Sequence, residues 1–167
     1  IGSSISSLIN NDEINDINNY RFINGDPLSG SKVEYSDYIG FYNNCLSVIE
    51  EGNNYRMLGW LPFMYNSVPS LSKTSFSWLL SGAKKVNTNL NGEERAIVVT
   101  GEMEKYFPMD IFPMQLIKAC IRGDIEKMES LGIYEVVPED FGLVDFSCTS
   151  KIEAQEIIKS GIQIMLK

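Results

Sequence analysis

The chain has 167 residues, 44% of them hydrophobic, which suffices for a real core in one medium domain or two small ones. Its formal net charge of −8 argues against nucleic acid and anionic lipid as partners, since both reward Lys/Arg clusters. Histidine is absent, which removes the commonest general base, the Ser-His-Asp and Cys-His nucleophile systems and most zinc sites.

The charge is unevenly spread: residues 1–90 hold 8 acids and 6 bases, residues 91–167 hold 14 acids and 8 bases. Cys45, Cys120 and Cys148 are odd in number and form no C-x-x-C pair, so they read as reduced thiols rather than a disulfide framework. No apolar run approaches the roughly 18 residues of a spanning helix, and no signal peptide is recognisable. A chain that starts at Ile1 and opens directly on a helix start is expected to be a fragment of a longer protein.

In chain order, Gly2-Ser3-Ser4 followed by Ile5, Leu8 and Ile9 predicts a short amphipathic helix behind a serine cap. The polar stretch from Asn10 to Asn19 predicts a loop. Tyr20-Arg21-Phe22-Ile23 reads as a strand stopped by Asn24-Gly25-Asp26-Pro27. Cys45 to Ile49 and Tyr55 to Trp60 predict a hairpin turning through Glu51-Gly52-Asn53-Asn54. Residues 61–92 carry Pro62, Pro69 and many Ser and Asn without clear periodicity, and Ala96 to Thr100 predicts a β-branched strand ending at Gly101.

The pattern then becomes helical. Pro113 starts a helix running to about Arg122 and stopped by Gly123, with Leu116, Ile117, Cys120 and Ile121 inward. Asp124 caps a second that ends at Leu131-Gly132, and Pro138-Glu139-Asp140 opens a third. Ser150-Lys151-Ile152-Glu153 reads as a capping box for a fourth, whose apolar stripe is Ala154, Ile157, Ile158, Gly161, Ile162 and Met165. A β-rich half followed by a helical half gives the fold class α+β.

A spacing inside the helical half points to chemistry that is mostly missing. The two-cluster ferredoxin pattern is C-x₂-C-x₂-C-x₃-C-P, used twice. Counting back from Cys148 gives Val144, Phe141 and Pro138, and counting back from Phe107-Pro108 gives Met103, Thr100 and Ile97. One of these eight positions holds a thiol. The others are mostly apolar, as expected if side chains fill the volume of lost clusters, although short helical turns also generate such positions.

Several segments resemble one family. Asn91-Gly92-Glu93-Glu94-Arg95-Ala96-Ile97-Val98 is similar to the NGGERAMVP segment of the A subunit of the Na⁺-translocating NADH:quinone oxidoreductase. Phe107-Pro108-Met109-Asp110-Ile111-Phe112-Pro113 resembles its MPLDILP, and Gly123-Asp124 with Leu131-Gly132 its GD…LG pair. Glu139-Asp140 with Cys148 resembles its EED…C stretch, and Tyr38-Ile39-Gly40-Phe41-Tyr42-Asn43-Asn44 through Ser47-Val48-Ile49-Glu50-Glu51-Gly52 its YLGRYHNQVSVLEEG. The chain departs from it at Cys148-Thr149-Ser150-Lys151, where the family usually has Cys-Pro-Gly-Lys.

The resemblance implies a β-grasp module of the soluble-ligand-binding type over residues 1–60, entered partway through. Residues 61–100 would connect it to a helical domain over 101–167, similar to a two-cluster ferredoxin domain without its clusters. It further implies a structural and docking part of a Na⁺-pumping NADH:quinone reductase, on the cytoplasmic face of the bacterial inner membrane. The membrane-embedded B subunit is the chief expected partner, and the surroundings of the quinone a second place of contact. NADH, quinone, flavins and iron–sulfur groups would belong to the complex, with no cofactor, catalytic or metal residue expected in this chain. Two alternatives stay open: an iron–sulfur carrier like the C subunit of the Rnf complex, which keeps both cysteine quartets, and a separate small-ligand-binding β-grasp module.

The remaining signals have ordinary readings beside functional ones. Glu50-Glu51 flanks a turn and Glu139-Asp140 sits at a helix start, where acids favour the dipole without any catalytic duty. Trp60, Phe63, Tyr65, Phe76 and Trp78 could meet a partner protein, line a quinone pocket or form a satellite core. Cys148, Cys120 and Cys45 read first as small hydrophobes. G-x-G-x-x-G and Walker loops are absent.

Overall fold

The computed structural model describes residues 2–9, 16–52, 57–58, 61, 69–71, 73, 75–79 and 86–167. Two compact units result, Ile1–Pro69 with Ser75–Asn89, and Ser70–Thr74 with Leu90–Lys167. Among the described residues the chain combines helices with one three-stranded antiparallel sheet, which is an α+β composition.

In the first unit, aromatic and branched residues at Tyr20-Arg21-Phe22-Ile23 favour a pleated chain, and the strand β1 (Tyr20–Asn24) forms where expected. It lies between β2 (Ser31–Val33) and β3 (Leu46–Glu50), with Phe22 opposite both Val33 and Val48. Being central, β1 buries Phe22, Ile23 and Asn24. Beyond β1 the Asp26 carboxylate accepts from the backbone N–H of Leu28 and Ser29, a side-chain-closed turn that reverses the chain into β2.

The short helix α1 (Ile5–Leu8) buries Ile5 completely. Ser4 occupies the cap position, but its side chain makes no cap bond; the Ser4 carbonyl instead accepts from the Ser7 N–H and hydroxyl. The second arm of the expected hairpin does not form as one strand. Met57 and Leu58 lie in a turn, with Leu58 at φ 56°, while Tyr55, Arg56, Gly59 and Trp60 lie outside the described residues. The partner that β3 finds is β1, five residues long and far more distant in sequence. Cys45 stands just before β3, not inside it.

The second unit carries α2 (Glu102–Tyr106), α3 (Pro113–Arg122), α4 (Ile125–Ser130), α5 (Gly142–Ser147) and α6 (Ala154–Met165). Pro113 at the first turn and Gly123 at φ 69° bound α3 as its sequence dictates. Leu116, Ile117 and Cys120 are buried, but Ile121 is 57% exposed, like Arg122 and Gly123 that follow it at the end of the helix. Asp124 caps α4 by accepting from the Lys127 N–H at 3.2 Å. Pro138 opens a single 3₁₀ turn to Phe141 that continues into α5.

Two expectations fail here for tertiary reasons. Ala96 to Thr100 enters no ladder, because no second strand of this unit is there among the described residues to receive it. The capping box of α6 is replaced: Ser150 donates its hydroxyl to the Ala96 carbonyl, and α6 begins at Ala154 instead. Its first amides, Ala154 at 2.6 Å and Gln155 at 3.3 Å, are capped by the Asp145 carboxylate from α5. The stripe of α6 faces inward as read: Ala154, Ile158 and Gly161 are buried, and Ile157, Ile162 and Met165 pack against the same core.

Candidate functional site

The eight positions marked out by the ferredoxin spacing fall in the second unit, and their environments divide by set. In two-cluster ferredoxins the fourth ligand of each run serves the other cluster. The set Pro138, Phe141, Val144 and Phe107 is a filled volume. Phe141 and Val144 are fully buried, Phe107 is nearly so, and the Phe107 and Phe141 rings pack with centroids 4.7 Å apart at 46°. Such a tilted pair contributes about 0.5–1.5 kcal/mol beyond its area.

The set Ile97, Thr100, Met103 and Cys148 is different. Thr100, Met103 and Cys148 border a cleft of about 520 Å³, whose other walls include Arg95, Ala96, Val98, Met114 and the Glu102–Thr149 pair. Ile97 instead packs toward the core. Met103, Met114 and Cys148 line the cleft and are buried, which gives it an apolar side. The Thr149 hydroxyl donates to the Glu102 carboxylate at 2.8 Å, bridging the start of α2 to the segment after α5. The Arg95 N–H donates to the Ser150 carbonyl at 2.9 Å, which ties one end of the 95–100 run to the same segment.

This arrangement provides a shaped apolar recess with hydrogen-bonding groups at its rim. Among the described residues, no three or more His, Cys, Asp and Glu side chains stand close enough together to hold a metal ion. One thiol among eight positions does not fit an iron–sulfur cluster, which needs four ligands. All three cysteines are free; Cys45 is exposed, Cys120 and Cys148 are buried, and burial pushes the Cys120 thiol up to about 11.

The carboxylate pairs have structural duties. Glu51 pairs with Arg21, whose Nε donates at 2.9 Å, and accepts from the Thr88 hydroxyl at 3.0 Å. The Arg21 hydrogen bond, then that of Thr88, hold the Glu51 carboxyl below its usual range against the opposing cost of burial. Asp140 accepts from the Val137 N–H at 2.9 Å, closing the turn that precedes α5. Of the aromatics, Phe76 and Trp78 are 41% and 48% exposed in a 3₁₀ turn of the first unit, while Trp60, Phe63 and Tyr65 lie outside the described residues.

Sequence reasoning missed Arg95 and Met114 as neighbours of Cys148. They come from two separate segments far from Cys148 in sequence, and no periodicity links them. Asp145 was also missed as the cap of α6. Its position nine residues before Ala154 lies beyond any local capping pattern.

Burial pushes the Asp145 carboxyl up, against hydrogen bonds from Gln155 and Ala154 that act downward. No helix among the described residues is long and apolar enough to cross a membrane.

No protein-family model matches the chain. Its curated relatives are subunits of an ion-translocating reductase. It is 34% identical over its entire length to the A subunit of the Na(+)-translocating NADH-quinone reductase of Neisseria meningitidis serogroup C. The corresponding protein of Pasteurella multocida is 36% identical over 97% of the chain, and that of Rhodopirellula baltica 32% over 97%. The chain is thus a homologue of the A subunits of the Na⁺-translocating NADH-quinone reductases, similar to a C-terminal fragment of one. It spans about 37% of the length of the relatives it matches.

Proposed function

We propose that the chain is a cofactor-free structural and docking part of a Na⁺-translocating NADH-quinone reductase, in the position that the A subunit holds among its relatives. The observation that carries this reading is Phe107 packed on Phe141, where two ligands of one cluster would stand. A volume filled by two phenyl rings and Val144 has a mechanical use in the core and no room for an inorganic group. The second unit then serves as a rigid body whose surface, not whose interior, does the work.

On this reading the first unit contains the remaining part of a β-grasp module, and the second is a ferredoxin-like domain that has exchanged clusters for packing. Residues 61–100 connect the modules of residues 1–60 and 101–167. NADH oxidation, quinone reduction and sodium movement belong to other parts of the complex. The chain would lie peripherally on the cytoplasmic face of the bacterial inner membrane, near the quinone and against the membrane-embedded B subunit. The exposed Phe76 and Trp78 support a contact surface in the first unit.

Metal analysis and absorbance spectra of the chain purified without oxygen test the cofactor-free reading. The expected protein is colourless, with no band near about 400 nm and no stoichiometric iron. A tightly held cluster would favour the Rnf-type electron carrier instead. Titration calorimetry against quinone analogues and nucleotides separates docking from a small-ligand module, since docking predicts flat titrations. Deleting residues 101–167 from the parent protein should abolish its assembly with the membrane partner, and normal assembly would overturn the docking role.

A further inference from the structure

The run Ala96-Ile97-Val98-Val99-Thr100 has the composition of a strand, yet it contains no helix, turn or ladder pairing. Among the described residues its backbone is anchored at the beginning, by the Arg95 N–H on the Ser150 carbonyl and the Ser150 hydroxyl on the Ala96 carbonyl. The N–H and C=O groups of Ile97, Val98 and Val99 make no hydrogen bond among the described residues. Alternate residues Ala96, Val98 and Thr100 line the cleft, the period of an extended chain, while Ile97 packs toward the core. Val98 and Val99 are 63% and 64% exposed. Unbonded backbone beside exposed β-branched side chains leaves this run free to pair, and folded proteins usually cover or blunt such segments.

We infer that residues 96–100 accept an extended segment of another polypeptide by strand addition, with an apolar side chain of that segment entering the cleft. The inference rests on the docking reading above and names its surface. Backbone hydrogen bonds supply the affinity of such pairing, and the pockets beside the edge supply its selectivity. The occupant is an apolar, β-branched segment bearing Lys or Arg. Residues 91–167 hold 14 acids against 8 bases, and the neighbouring Glu93 and Glu94 are exposed and in no ion pair among the described residues. A second copy of this chain would bring the same net charge of −8 to an acidic surface, so charge complementarity favours a basic segment over a second copy.

Amide hydrogen exchange at Ile97, Val98 and Val99 tests this on the full 167-residue chain. The probes are a synthetic peptide Lys-Val-Thr-Val-Lys-Val, its Glu-for-Lys counterpart and a version with a central proline. The basic peptide should slow exchange of these amides by about tenfold or more, and the other two should leave it unchanged. Three outcomes overturn the inference: no slowing by the basic peptide, equal slowing by the acidic one, or amides already slow in the free chain. Slowing that grows with protein concentration and without peptide would assign the edge to a second copy, overturning the choice of occupant. Failure of the edge in a chain that still pulls down the B subunit removes this inference alone. Loss of that binding with a responsive edge removes the docking reading instead.

Discussion

Gly161 of α6 faces Cys120 of α3 so closely that a Cβ on the glycine would lie 2.6 Å from the cysteine Sγ and 3.2 Å from its Cβ. The absence of a side chain at Gly161 therefore sets the approach of the two longest helices. Met128 Sδ, 3.5 Å from the same point, closes the contact from α4.

Gly161→Ala should destabilise the second unit by about 1–3 kcal/mol, despite the higher helix propensity of alanine, because the added methyl overpacks this crossing. Cys120→Ala should recover part of the loss by removing the sulfur. A denaturant-melt cycle of the two single variants and the double variant reads the coupling. Strictly additive costs would place the strain elsewhere.

The Phe107–Phe141 contact should be costly to break. Phe141→Ala leaves a cavity at a fully buried position and is expected to cost about 3–5 kcal/mol, with Phe107→Ala near the lower end of that range. Chemical unfolding of each variant checks the values. Recovery by Phe141→Leu of more than half the loss would show that apolar volume, rather than ring geometry, is what the site requires.

Asp145 and Glu51 should give opposite pH signatures. The carboxyl of Asp145 is raised in the folded chain, so its contribution is fully present below its unfolded value of 3.8 and is lost as pH rises through the folded value. Asp145→Asn, which keeps an acceptor for the α6 amides, should gain in melting temperature relative to the parent between acid and neutral pH. Asp145→Ala also removes the cap and should cost about 0.5–2 kcal/mol. Glu51 is lowered, so its contribution is present above 4.5 and disappears as pH falls through its folded value. Glu51→Gln should therefore be less stable than the parent at neutral pH and indistinguishable from it in strong acid. A melting series across pH for each variant decides both signs.

Thiol reactivity should separate the three cysteines. Cys45 is exposed, Cys148 is 3% exposed, and Cys120 is both buried and held as a thiol by a pKa of about 11. One thiol per chain should react with a disulfide reagent at neutral pH, and the other two should wait for denaturant. Rapid modification of Cys148 in the native chain would mean that the apolar side of the cleft opens to solvent.

The local elements were legible where their causes are local. Pro113 and Gly123 bound α3, Asp124 caps α4, and the inward stripe of α6 needs only a period of 3.6. The central strand β1 was equally plain from its aromatic and branched residues. The five-residue α2 escaped notice because one turn and a half is too short to display a period.

The candidate site was only half legible. Counting by the ferredoxin spacing marked Met103, Phe107, Phe141, Val144 and Cys148, and all five are buried in one core. It did not reveal that one set closes on two rings while the other borders a cleft. That depends on which side chains arrive from distant segments.

The sequence by itself determined the α+β composition, the boundaries of α3 and α4 and the kinship with the A subunits of these reductases, because each is written in neighbouring residues or in their order. Tertiary structure decided the rest. Asp145 replaced Ser150 as the cap of α6 because α5 carries its carboxylate to those amides, and Ser150 was left to hold Ala96. A run built to be a strand stayed unpaired because strand formation needs a second chain segment, and the second unit supplies none among its described residues.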